Sequence, residues 1–288
     1  MGTATEKESH KMFGGMSKQF THESSCCACT MQFTVFFPPQ AEAGPVPVVY
    51  YLSGLTCDDT NFTFKAGAQR AAAELGLALV APDTSPRGHG VEGEKDSYDF
   101  GVGAGFYVDA TVEKWRHWRM RQYVEEELPA VLRANFGDKL DTATCSIMGH
   151  SMGGHGALTV GLRNAHKPYR SISAFSPIAN PTAADCPWGQ KALAGYLGGS
   201  DKGAWAQYDA CELLKSYSGQ PIAVLVDQGM ADNFLSSQLH PERLVAAAAP
   251  GANQGMVEVR NHEGYDHSYF FIATFVEDHL RFHAKHLK

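Results

Sequence analysis

The sequence predicts an α/β fold: a mainly parallel, doubly wound sheet with helices on both faces. Two observations predict it. Short, continuously apolar runs alternate with longer helical patterns, as expected of strands buried on both faces and joined by crossover helices. Such crossovers are right-handed, and this puts helices on both sides of the sheet. The second observation is one sharp strand-to-helix passage, Gly149-His150-Ser151-Met152-Gly153, lying between an apolar run and a helix opening.

The strands expected in chain order cover 31–37, 46–52, 77–81, 144–148, 171–175, 222–227 and 256–260. In the first of them Met31, Phe33, Val35 and Phe37 share one face. Helices are expected over 62–75, 113–134, 152–163, 238–249 and 268–286. The second of these should break at Pro129, which has no N–H to donate. The connection from Pro82 to Gly105 is long and rich in Gly and Pro. It follows a strand's carboxyl end, where open sheets bind ligands. No linker or repeat divides the chain, so one domain over 1–288 is expected, with 1–12 as a poorly ordered tail.

A formal net charge of −7 and the lack of a basic run argue against nucleic acid as a partner. The first residues carry no apolar segment of a secretory signal. Glu6 stands where a myristoylation pattern needs Ser or Thr. No apolar run approaches the roughly 20 residues of a membrane helix. Seven cysteines, an odd count in a chain of this length, point to free thiols in a reducing, cytoplasmic setting. Cys26-Cys27-Ala28-Cys29 suggests a metal cluster at first sight, but adjacent residues on a strand face opposite ways and no second pair completes four ligands. His262-Glu263-Gly264-Tyr265-Asp266 misses HExxH at its last position. No metal and no cofactor is expected. The sequence leaves the oligomeric state open, a homodimer included.

A G-x-S-x-G turn between strand and helix is the elbow that exposes a serine at the top of a sheet. A serine hydroxyl is a weak nucleophile at neutral pH and needs a histidine base, itself oriented by an acid. On an α/β-hydrolase sheet these follow in the order Ser, Asp or Glu, His. Downstream of Ser151, Asp227 and Asp232 both stand near a strand's carboxyl end, and position favours Asp232, which lies out in the loop. His262 and His267 flank the last strand–helix loop. His267 precedes Ser268, a natural helix N-cap, which puts its ring at the rim. His279, His283 and His286 fall within the last helix and read as surface or packing residues, and His150 should pack beneath the elbow. The oxyanion needs two donors. They are expected from the backbone N–H of Met152 and that of Leu55, in the loop after the strand 46–52.

Longer stretches carry a resemblance that covers the chain from about Phe13 to Leu287. They are Leu52-Ser53-Gly54-Leu55-Thr56-Cys57, Ala81-Pro82-Asp83-Thr84-Ser85-Pro86-Arg87-Gly88 and the run from Asp99 through Thr111. The elbow, extended to Gly156, Cys186-Pro187-Trp188-Gly189, Asp227-Gln228-Gly229 and Glu263-Gly264-Tyr265-Asp266-His267-Ser268-Tyr269 complete the set. Together they resemble the S-formylglutathione hydrolase (esterase D) family. The chain departs from that pattern at Cys26–Cys29 and in the slightly longer stretch Pro181–Asp185. The resemblance implies an α/β-hydrolase fold with Ser151 as nucleophile, His267 as base and Asp232, rather than Asp227, as acid. It further implies a small-molecule partner, S-formylglutathione, cleaved to glutathione and formate in formaldehyde detoxification.

A formyl group is small, so Trp188, Phe106 and Met152 are candidates to close a tight acyl pocket, although each is equally well explained as core. Glutathione is anionic, and Arg87 and Lys65 are the candidate cations for it, with a structural pair from Arg87 to Asp83 or Asp99 as the alternative. Cys57, two residues past Leu55, is a candidate modulatory thiol. Three other activities share parts of this pattern: a broad carboxylesterase on small acyl esters, an acyltransferase, and a non-catalytic hydrolase-fold binding module.

Overall fold

The computed structural model describes residues 2–163, 169–199, 201–248 and 253–287. Its strands are β1 (Thr5–Met12), β2 (Gly15–Ser24), β3 (Cys29–Phe37), β4 (Val46–Leu52), β5 (Ala78–Pro82), β6 (Leu140–His150), β7 (Tyr169–Phe175), β8 (Ala223–Gly229) and β9 (Val257–His262). They form one nine-stranded sheet in the order β1-β2-β3-β5-β4-β6-β7-β8-β9. The first three pairings are antiparallel, and every pairing from β5 through β9 is parallel. Each of the seven expected strands is present within a few residues.

The helices are α1 (Asp59–Lys65), α2 (Gln69–Leu75), α3 (Met120–Gln122), α4 (Leu128–Phe136), α5 (Met152–Arg163), α6 (Pro187–Leu197), α7 (Lys202–Ala206), α8 (Ala210–Ser216), α9 (Glu242–Ala248) and α10 (Tyr269–Leu287). They cover both faces because alternate strand residues point opposite ways. Val48, Tyr50 and Leu52 join the core that α5, α6 and α8 cover, whereas Val49 and Tyr51 join the one under α1, α2 and α10. Among the described residues, no helix is long and apolar enough to cross a membrane.

Several expectations are corrected. Residues 5–12 are an edge strand, not a loose tail, because β2 supplies a full antiparallel ladder to them. The expected helix 62–75 is two helices, interrupted at Gly67, whose φ is 67°. The expected helix 113–134 begins only at Met120, after a separate 3-10 turn over Glu113–Trp115, and it does not break at Pro129. A π turn over Tyr123–Glu127, in which the N–H of Leu128 donates to the carbonyl of Tyr123, widens the helix just before the proline. That lifts the Glu125 carbonyl out of the way of a ring that would otherwise clash with it. The expected helix 238–249 is a second π turn, Leu235–Leu239, followed by α9; its last residue, Ala249, lies outside the described residues. Cys26 and Cys27 sit in the β2–β3 hairpin turn rather than on a strand, so the turn brings their Sγ atoms within 3.8 Å. Glu127, accepting from Ser24, Ser25 and Cys26, locks that turn; burial alone would raise its pKa, but those bonds hold its carboxyl down at about 2.

β4 sits between β5 and β6, so the connections leaving β4 and β6 run to opposite sides. A crevice opens at the carboxyl ends of two such strands. The loops after β4 and β6 meet there.

Candidate active site

The elbow follows β6. Ser151 has φ 58°, in the left-handed region that an L side chain enters only when its surroundings force it. Those surroundings are tight. A Cβ on Gly149 would overlap the carbonyl of Gly153, and one on Gly153 would overlap that of Leu52, so only glycine fits on either side of the serine. The Ser151 N–H donates to the carbonyl of Phe175 at 2.9 Å, which ties the elbow to the end of β7. Met152 opens α5, so its N–H is among those a helix leaves without an internal partner.

Asp232 lies in the loop after β8, and His267 in the loop between β9 and α10. Backbone hydrogen bonds sew the two loops together: Met230 N–H to His262 O at 3.0 Å and Ala231 N–H to Tyr265 O at 2.9 Å. His267 Nδ1 stands 2.6 Å from Asp232 Oδ2, and the other oxygen of Asp232 accepts the Phe234 N–H at 2.8 Å. A carboxylate only accepts, so the proton of the imidazole is on Nδ1 and Nε2 is left with a free lone pair. The hydroxyl of Ser268 accepts the Phe270 N–H, as expected of the cap on α10.

Ser151 and His267 line one cavity of about 340 Å³, together with Gly54, Leu55, Thr56, Cys57, Asn61 and Lys65 on one side and Tyr98, Trp188 and Phe234 on the other. Thr56 and Cys57 donate their N–H groups to Gly103 and Gly54, whereas that of Leu55 has no partner among the described residues. The capping box that starts α1, Asp58 with Asn61, brings Asn61 and Lys65 to the wall. Lys65 Nζ stands 5.6 Å from the centre of the Tyr269 ring. Trp188 packs on Phe234, and its indole N–H donates to Tyr98 Oη at 3.1 Å. Burial pushes the Cys57 thiol up, against the pull of Lys65.

Three candidate side chains are elsewhere. Arg87 forms a bidentate pair with Asp83 (2.7 and 2.8 Å) and reaches the Cys57 carbonyl, so its charge is already matched; it braces the loop after β4 and does not line the cavity. Phe106 is fully buried in the core beneath α5, its carbonyl taken by His155 Nε2 at 3.0 Å. The Met152 side chain is also buried there, where its sulfur accepts the Phe106 N–H. His150 is buried as expected, but it also forms part of the cavity wall, with its ring centre 4.5 Å from that of His267. Burial, reinforced by the neighbouring His267, pushes its pKa well below the usual value. An uncharged ring there adds no repulsion when His267 takes up a proton. Tyr98 and Phe234 gave no signal in the sequence, because their arrival at the cavity depends on the paths of two separate loops; Tyr269, the first residue of α10, stood in a quoted motif without a role of its own.

Comparison with known proteins bears on what this cavity does. A family model described as a putative esterase matches residues 24–282. S-formylglutathione hydrolase of Arabidopsis thaliana is 54% identical over 285 residues, covering 99% of this chain and 98% of that one. The Mus musculus enzyme of the same name is 54% identical over 281 residues, covering 97% of each. The chain belongs to the S-formylglutathione hydrolase family. A solved structure of the family, from Agrobacterium tumefaciens, superposes with a TM-score of 0.93 at 46% identity, covering 99% of this chain and all of that one. A ferulic acid esterase from Anaeromyces mucronatus, at 19% identity and a TM-score of 0.67, shares the fold alone. The α/β-hydrolase fold read from the sequence is therefore present, and with it the family of the resemblance.

Proposed function

We propose that the chain hydrolyses S-formylglutathione to glutathione and formate, with Ser151 as nucleophile, His267 as base and Asp232 as the acid that orients it. The carrying observation is the 2.6 Å contact between His267 and Asp232 behind a cavity that Ser151 and His267 share. Family membership supplies the substrate.

Ser151 Oγ adds to the formyl carbon while its proton passes to His267 Nε2, and the Nδ1–H bond to Asp232 stabilises the imidazolium. The carbonyl oxygen becomes an oxyanion facing the N–H groups of Met152 and Leu55. The intermediate collapses by breaking the C–S bond and taking back the proton from His267, and glutathione leaves as the thiol. As a thiolate it is already a good leaving group, so acid help contributes less than it would to an amine. Water then adds to the formyl ester, giving its proton to His267, and formate departs as Ser151 is restored. Trp188 bounds the acyl side of the cavity. Lys65 is the cation on the wall that meets the anionic glutathione arm. Cys57, adjoining Leu55, modulates the site: alkylating it crowds the oxyanion loop. The seven cysteines are all free, which suits work in the reducing cytoplasm.

The test is steady-state turnover of S-formylglutathione by the parent and by Ser151→Ala, with an aryl acetate run alongside. Turnover by the parent that Ser151→Ala lacks is expected. An unchanged rate in Ser151→Ala would remove Ser151 from the mechanism, and a higher kcat/KM on the acetate would make the chain a general carboxylesterase.

A further inference from the structure

A second set of serine, histidine and aspartate side chains lies in the core under α10. Asp227, near the end of β8, is fully buried, and both of its oxygens are held by Arg260 of β9, at 2.6 and 2.7 Å. His279 Nε2 stands 3.2 Å from Asp227 Oδ2, a bent polar contact rather than a straight hydrogen bond, and His262 Nε2 lies 3.2 Å from Oδ1. From there a chain of 2.8 Å hydrogen bonds runs inward: His279 Nδ1 to Ser173 Oγ, Ser173 Oγ to His283 Nε2, His283 Nδ1 to Ser171 Oγ, and Ser171 Oγ to Ser146 Oγ. The four residues beyond His279, like His279 itself, are fully buried.

The chain has a direction. Asp227 as a carboxylate only accepts and Arg260 only donates, so the N–H of His279 is on Nε2. Nδ1 of His279 then accepts the Ser173 hydroxyl proton. Ser173 Oγ accepts from His283 Nε2–H, His283 Nδ1 accepts from Ser171, and Ser171 accepts from Ser146. One proton arrangement satisfies every link. Burial keeps both imidazoles neutral, as that arrangement requires. Apolar side chains would hold α10 to the sheet at least as strongly; what buried polar links add is a single fixed register.

That register bears on the cavity. Asp227 joins β8, β9 and α10, and the connections between these elements carry Asp232 and His267. The carbonyl of Asp227 accepts the Ser176 N–H at 2.8 Å, one residue beyond the Phe175 carbonyl that holds Ser151 N–H. Gln228, the next residue, points Nε2 at Asp232 Oδ2, 3.4 Å away. We propose that Asp227 and His279 are positioning residues for the reaction at Ser151, with the buried chain they head fixing the two loops that present the acid and the base. This rests on the reading of Ser151, His267 and Asp232 given above.

The experiment compares Asp227→Asn, His279→Asn and Ser173→Ala in the full chain. It measures kcat and KM on S-formylglutathione, the rate at which a fluorophosphonate labels Ser151, Tm, and the downfield proton resonance of the His267–Asp232 bond. For the first two variants kcat and labelling should fall about tenfold to a hundredfold with KM within about twofold, the scale set by small misplacements of reacting groups. Ser173→Ala should lose less. The downfield resonance should shift in all three. In Asp227→Asn the amide can donate, so nitrogen-15 spectra should show His279 and His283 turned to the Nδ1–H form. Folded variants with the parent's kcat and labelling rate, or losses that merely follow Tm, would overturn the proposal. Should the Asp227 variant fail to fold, unchanged kcat and resonance in folded Ser173→Ala do the same. Labelling at Ser151 reads out even if S-formylglutathione is not turned over, so failure of the substrate reading stays separate.

Discussion

Ser151, His267 and Asp232 stand at the cavity; Ser173, His279 and Asp227, the same three residue types, stand in the core, with a His–Asp contact of 3.2 Å against 2.6 Å at the cavity. The buried set even has a serine hydroxyl 2.8 Å from its imidazole. Three things separate them. Ser151 occupies a left-handed elbow that turns it toward a cavity, while Ser173 is an inner residue of β7 with both neighbouring strands paired to it. The orphan N–H groups of Met152 and Leu55 adjoin Ser151, whereas the ladder consumes those around Ser173. Asp227 is matched by an arginine, so its charge is spent on Arg260 as much as on a histidine. A nucleophile is thus made by backbone geometry and access; the wiring of serine to histidine to aspartate is also a way to pin a helix.

The largest test of this contrast is at the two serines. Ser151→Ala should lower kcat roughly a millionfold, as expected where one member of a cooperating set is removed. Ser173→Ala should lose no more than about tenfold, and a fluorophosphonate should label Ser151 alone, as read by peptide mass spectrometry. Next come the aspartates. Asp232→Asn should cost about 10⁴ in kcat through the wrong imidazole tautomer, while Asp227→Asn costs far less activity and more stability. We expect Asp227→Asn to lose about 2–3 kcal/mol at pH 7 by chemical denaturation, less than for a fully buried pair because Arg260 is partly exposed.

That loss carries a pH signature. Burial would raise the Asp227 pKa, but His279 and Arg260 outweigh it and hold the carboxyl well below the usual range. A depressed folded-state pKa gives stability that is complete above the unfolded value near 4 and is lost as pH falls below it. The gap between parent and Asp227→Asn should therefore be full at pH 7 and shrink below about pH 4. A gap independent of pH would show that the carboxylate's charge is not what stabilises. Smaller effects mark the cavity wall. Lys65→Ala should raise KM about two- to fivefold with kcat unchanged, since an exposed, screened cation contributes little. Alkylation should inactivate the parent slowly, faster at alkaline pH, and spare Cys57→Ser.

The sequence made the parallel strands legible because both faces of each are apolar, and it hid β1 and β2. Every residue of β1 but Met12 is exposed, and the inward positions of β2 include Ser17, His22 and Ser24, so no apolar alternation marks either. At the site, Ser151, Asp232 and His267 could be read because each follows a strand end in a fixed order. Arg87 and Phe106 stayed open between cavity and framework because sequence position put them near the crevice; in space Asp83 and His155 claim them, the structural alternative in each case. The roles of His279 and His283 were invisible for a simpler reason: four residues apart on a helix says which face they share, not that Ser173 and Asp227 wait beneath it.

The π turn before Pro129 sets a rule for insertions and deletions. It holds one residue more than a regular turn, so deleting any one of 123–127 would restore ordinary winding and rotate all that precedes it by about 100°. Arg121, which bridges Asp109 (2.6 Å) and Glu125 (2.7 Å), would swing off Asp109, and the proline would meet a carbonyl again. The loop that carries Asp109 would lose that tether. Length is therefore fixed at this point in the chain more firmly than residue identity.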